Sequence, residues 1–124
     1  QLSVLPLDGS AEKLLLHANR LYVAEKSTGL VAIDASDPSA LKVLSRLALP
    51  LVTDVAGSGK YLIAVDTQRK VKLIDISDPS HLLVLHEVSL SGMPSRVRVF
   101  GDHIFVTMGD TGVAVLAIEA ATAP

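Results

Sequence analysis

Ile33-Asp34-Ala35-Ser36-Asp37-Pro38-Ser39 returns 41 residues later as Ile74-Asp75-Ile76-Ser77-Asp78-Pro79-Ser80, with six of the seven letters unchanged. A period near 40 marks an array of small supersecondary units, each unable to bury its apolar face alone. The phrase itself is turn chemistry. Proline fixes φ, and Ser and Asp side chains bond nearby backbone N–H groups. An apolar strand ending at Ile33 or Ile74 therefore stops there, and the chain reverses.

Working outward, three copies superpose: Lys13 to about Pro50, Asp54 to about Leu90, and Arg96 to about Glu119. Each opens on a short apolar strand: Leu14–Leu16, Val55–Ala56 and Val97–Phe100. A tight turn follows in each, at Ala18-Asn19-Arg20, Gly57-Ser58-Gly59-Lys60 and Gly101-Asp102, where Gly and Asn allow positive φ. The second strands are Leu21–Ala24, Tyr61–Val65 and Ile104–Thr107, and the third are Leu30–Asp34, Val71–Asp75 and Val113–Ala117. Fourth strands follow the Asp-Pro turn at Leu41–Leu47 and Leu82–Ser89. The third copy departs from the pattern, because Ala117 and Ile118 stand where the Asp and its turn would begin. Runs such as Leu30-Val31-Ala32-Ile33 do not alternate, which fits sheets packed on both faces. Segment length, and the Gly, Asn and Pro that bracket each run, favour strands over helices of comparable length.

Four antiparallel strands per repeat of this length make a β-propeller blade. Lys72-Leu73-Ile74-Asp75-Ile76-Ser77-Asp78-Pro79-Ser80, preceded by Gly59-Lys60-Tyr61-Leu62-Ile63-Ala64-Val65-Asp66, resembles the LVIVD repeat. That resemblance implies a β-propeller of bacterial or archaeal type, often exported, with no shared catalytic motif. Extracellular, cell-surface or periplasmic residence follows from the resemblance alone.

The expected fold is thus all-β, a single propeller segment over residues 1–124 with three blades. Leu2–Leu7 reads like the outer strand Val43–Pro50 and leads straight into the first copy, so it is expected to complete the third blade. Three blades fall short of the usual ring of roughly 4–8. Two copies forming a six-bladed ring is one expectation. The other is that the remaining blades belong to a longer propeller. The start at Gln1 is that expected of a processed or trimmed chain.

Composition narrows the function classes. Hydrophobic residues at 49% and charged ones at 19% support a packed core, and aromatics at 3% make it aliphatic. A net charge of −2 gives nucleic acid and anionic membranes no electrostatic hold. No apolar run approaches the ~18 residues of a membrane-spanning helix. With no Cys there is no disulfide, thiolate site or Cys nucleophile.

Asp34, Asp37, Asp75 and Asp78 are expected to cap their own turns, since the spacing of a calcium loop is absent. His17, His81, His86 and His103 lack metal-binding spacing and read as surface or turn residues. No nucleophile elbow, phosphate loop or dinucleotide fingerprint occurs, so no catalytic residue, metal or cofactor is assigned. The candidate binding residues are the charges of the innermost strands. Lys13, Asp54 and Arg96 align across the copies, as do Leu15, Ala56 and Arg98. Such charges either pair with one another or meet a ligand in the central channel. The turns Glu25–Thr28, Asp66–Lys70 and Met108–Thr111, with links carrying Leu51 and Met93, form one end, and read as solvated or as contact residues. The leading expectation is a non-catalytic module that binds a protein or small ligand. The alternatives are an enzyme acting at the channel mouth, or a carbohydrate-binding propeller dependent on Tyr22 and Tyr61.

Overall fold

The computed structural model describes residues 4–7, 9–26 and 28–118. Eleven strands follow in chain order: β1 (Ser10–His17), β2 (Arg20–Lys26), β3 (Gly29–Asp34), β4 (Lys42–Leu47), β5 (Val52–Ser58), β6 (Tyr61–Asp66), β7 (Lys70–Asp75), β8 (Leu83–Ser89), β9 (Arg96–Phe100), β10 (His103–Thr107) and β11 (Val113–Ala117). They form three antiparallel sheets, ordered β1-β2-β3-β4, β5-β6-β7-β8 and β9-β10-β11. Each sheet is one meandering blade, and the innermost strand β5 lies against both β1 and β9. Among the described residues the third blade has three strands, and β11 is its open edge. Position 119, where the third copy was expected to end, and positions 2 and 3 of the expected N-terminal strand lie outside the described residues, and residues 4–7 form no strand within the chain.

The first strands start earlier than their apolar letters suggest. Register shifts between Ala11 and Lys13, and between Val52 and Asp54, place a bulge at the same point of β1 and β5. A bulge inserts one unpaired residue and breaks the two-residue alternation. The alternation is therefore readable only beyond Lys13 and Asp54.

Blades pack face to face. Leu15, Tyr22, Ala24, Leu30 and Ala32 of the first blade meet Val55, Leu62, Ala64 and Ile74 of the second. Ala56, Ile63, Val65, Val71 and Leu73 of the second meet Val97, Ile104 and Val106 of the third. β6 and β7 are covered on both sides, which is why their letters do not alternate.

The repeated turns do what their letters require. Asp34 Oδ1 accepts the Ser36 N–H at 2.9 Å, and Asp75 Oδ1 accepts the Ser77 N–H at 2.8 Å and its Oγ at 2.7 Å. Three residues on, Asp37 and Asp78 take the N–H groups of Ser39 and Ser80, both at 3.0 Å. The Ser77 hydroxyl, then its N–H, holds the Asp75 carboxyl below the usual carboxylate range. Its contribution is thus present above the ordinary Asp value and fades as pH falls through the lowered one. Asp75→Ala is expected to cost about 1 kcal/mol at neutral pH, by analogy with other lost caps in partly solvated turns. Urea melts should show that gap closing below pH ~4.

Candidate functional site

The bulge in β5 turns Asp54 toward the third blade, where it is buried. Its Oδ2 accepts the Val97 N–H at 2.9 Å and Arg98 Nη1 at 2.9 Å, and Arg98 Nη1 also donates to Val97 O at 2.7 Å. One carboxylate therefore stitches β5 to β9 at the axis. The Arg98 side chain remains 68% exposed beside it. Arg96 is exposed and makes no side-chain hydrogen bond or ion pair among the described residues. Lys13 is half-buried and shares a cavity with Glu12, Leu51, Val52 and Thr53. Of the four axial candidates, the structure brings Asp54 and Arg98 into contact and leaves Arg96 and Lys13 outside that pair.

Two acidic residues read as solvated or contact turn residues are instead buried. Glu25 accepts the Gly9 N–H at 2.9 Å, the Thr28 hydroxyl at 3.0 Å and Arg46 Nη1 at 2.7 Å. Burial pushes its carboxyl up, but the Gly9 N–H, Thr28 and Arg46 together outweigh that and hold it below the ordinary glutamate value. Asp66 stands at the same place in the second blade. Its Oδ1 accepts the N–H groups of Gln68 at 2.9 Å and Lys70 at 3.2 Å, and its Oδ2 lies 3.1 Å from Lys72 Nζ. These carboxylates shape the turn between second and third strands. The signal was present in the alignment: Glu25 and Asp66 close successive second strands, and the third copy carries the buried Met108 there. Leu51 and Met93 are exposed at the links.

The remaining polar candidates are largely structural. His17 Nε2 lies 2.8 Å from Gly59 O, tying the first hairpin to the second, and its ring sits where a side chain at Gly57 would go. His103 leans on Phe105 with ring centroids 6.5 Å apart. Among the described residues no three His, Cys, Asp or Glu side chains converge to hold a metal ion. Tyr22 is wholly buried between blades, so no sugar can stack on it, and Tyr61 is half-buried under the Lys60 ammonium.

The feature that sequence reading missed is the outer face of the third blade. Phe105 is 37% exposed, whereas its counterparts Tyr22 and Ile63 are 0% exposed. Val113 is 61% exposed against 1% for Leu30 and 2% for Val71. Val115 is 55% exposed against 0% for Ala32 and 2% for Leu73. Phe100 and Arg98 lie on the same face. The first blade shows the complementary deficit: Leu14 is 67% exposed where Val55 and Val97 are 5% and 0%. Beside it, Val23, Val31 and Ile33 are covered by Leu5 and Leu7.

Three stacked meanders around a shared set of inner strands, with apolar faces at both ends of the stack, define a β-propeller module. The chain belongs to the LVIVD repeat family: the family model matches residues 8–48 and 51–89, more than half its length. Among solved structures it is similar to the crystal structure of the computationally designed Ika4 protein, at 16% identity and a TM-score of 0.64. That match covers 84% of this chain and 63% of the other, so the chain spans less than two thirds of that protein, and the likeness is one of fold. No curated protein sequence matches the chain.

Proposed function

We propose that this chain is a non-catalytic β-propeller module that works by docking, binding protein through the outer face of its third blade. One observation carries the reading: positions sealed between blades in the first two copies stand open in the third. A contiguous apolar face of this kind marks an interaction surface. The partner is a second copy, the remaining blades of a longer propeller, or another protein. Residence outside the cytoplasm rests on the family resemblance alone.

The axial charges support a second, compatible role. Arg96 and the exposed Arg98 guanidinium offer donors to a small anionic ligand near the axis, with Asp54 fixing Arg98 in place. An enzyme at the channel mouth would need an acid or base free to exchange a proton there. Asp54 is already engaged by Val97 and Arg98.

Carbene footprinting of the protein in its native cell fraction tests the docking reading. Phe100, Phe105, Val113 and Val115 are expected to be shielded, while Leu83 and Leu85 on the outer strand β8 are labelled. Labelling of the third-blade face as strong as that of β8 would overturn it.

A further inference from the structure

We infer that the cavity between the first two blades, at the end of the strands opposite the links, binds a small zwitterion, an α-amino acid with a short apolar side chain. Its volume is about 350 Å³, at the lower end of the range of small-molecule sites. Its walls are Asn19 and Arg20 of the first hairpin, Asp34 and Ser36 of the first Asp-Pro turn, Leu44 of β4, and Pro79 of the second blade. All of them belong to the two four-stranded blades, whose mutual packing is complete within the chain. The site is therefore independent of the docking reading and of whatever covers the third blade.

Arg20 and Asp34 stand directly opposite one another across β2 and β3. Opposite charges so placed, with Cβ atoms about 4.5–5.5 Å apart, attract one another. Here they form no ion pair among the described residues. Arg20 Nη1 folds back onto Ala18 O at 3.2 Å, and Asp34 Oδ1 takes the Ser36 N–H at 2.9 Å. Both side chains are half-buried. A guanidinium has five N–H donors and a carboxylate about four acceptor sites, so each keeps capacity for a ligand. The Ser36 N–H, aided by the nearby Arg20 and Lys42 charges, holds the Asp34 carboxyl below the usual carboxylate range, so it is ionised at neutral pH. An α-amino acid carries its ammonium and carboxylate on one carbon. It thus matches a carboxylate and a guanidinium held side by side, while Leu44 and Pro79 offer apolar ground to its side chain.

The repeat does not demand this arrangement. The counterparts of Arg20 and Asp34 are Tyr61 and Asp75 in the second blade, and His103 and Ala117 in the third. The first hairpin also differs. Ala18 has φ 52° and Asn19 φ 62°, whereas the other two hairpins place Gly59 and Gly101 where Ala18 stands. A left-handed Ala costs free energy that Gly avoids, and this strained residue is the one whose carbonyl holds Arg20. Strain of this kind collects at ligand sites. Tyr22, two residues beyond Arg20 on the same face of β2, is wholly buried and its hydroxyl makes no hydrogen bond. That face therefore carries more polar groups than the chain itself satisfies. The junction is also fastened at two points: the Ser45 hydroxyl donates to Pro79 O at 2.7 Å, and His17 Nε2 lies 2.8 Å from Gly59 O. A cavity held in this way needs little ordering when a ligand enters.

An NMR titration of the protein with L-valine, isovalerate and isobutylamine tests the inference. The last two keep the valine side chain and lack the ammonium and the carboxylate respectively. L-Valine is expected to bind about tenfold or more tighter than either, and to shift the amides of Asn19, Arg20 and Ser36. Arg20→Met and Asp34→Asn should each weaken L-valine about tenfold or more with an unchanged β spectrum. Asn at position 34 can still accept the Ser36 N–H, so the turn is kept. If either variant does not fold, the three probes on the unaltered protein decide alone. L-Valine binding no tighter than isovalerate or isobutylamine would overturn the inference, as would no saturable binding of L-valine up to about 10 mM. So would affinity indifferent to both substitutions. Shifts centred on Arg98 would place the ligand at the axis and equally remove it from this cavity.

Discussion

Asp66→Ala is expected to destabilise the chain by about 3–5 kcal/mol, the usual cost of breaking a buried ion pair from one side. The carboxylate holds two backbone N–H groups of its turn and stands 3.1 Å from the buried Lys72 ammonium. Removing it strands that ammonium, since Glu87 is 3.9 Å away and half exposed. Glu87→Ala, by contrast, should cost less than about 1 kcal/mol, as exposed pairs do. Urea denaturation of the two variants side by side reads the difference. Equal losses would mean that Lys72 is held by the outer carboxylate and that Asp66 is not the organising group.

Asp54→Ala should cost about 2–3 kcal/mol, because it leaves the buried Val97 N–H without an acceptor and releases Arg98. Arg98→Met should cost less than about 1 kcal/mol, since the guanidinium is 68% exposed and its pairing is screened by water. The asymmetry separates the two axial roles. Asp54 is demanded by the packing of β5 on β9, while the exposed Arg98 guanidinium is the group we propose as a ligand donor. A stability loss for Arg98→Met as large as that for Asp54→Ala would assign both residues to the scaffold and remove the anion site from the axis.

What could be read from the letters follows from how local each interaction is. The Ser-Asp-Pro phrase was legible because an Asp carboxylate and the N–H two residues on belong to the same turn, as Asp75 and Ser77 show. The blades followed from the period of that phrase. The bulges before Lys13 and Asp54 were hidden, because an extra residue breaks the alternation that would reveal the strand. Glu25 and Asp66 were misread for a different reason. A carboxylate at a strand end looks solvated, and its burial depends on Arg46 in one blade and Lys72 in the other, at different places in the repeat. The Asp54–Arg98 contact could be anticipated as one of two outcomes, since the copies differ there while the scaffold positions agree. The open third-blade face needed coordinates. Phe105 and Val115 read as ordinary strand residues until their counterparts Ile63 and Leu73 are seen to be sealed.

Hydrogen exchange along β11 tests most directly the claim that the third blade works by docking. The amides of Val113–Ala117 that are not bonded to β10 should exchange freely in the isolated chain. They should be protected in the native cell fraction, where the docking reading has the face occupied. Exchange there as fast as in the isolated chain would contradict the account, because nothing would then lie against the third blade.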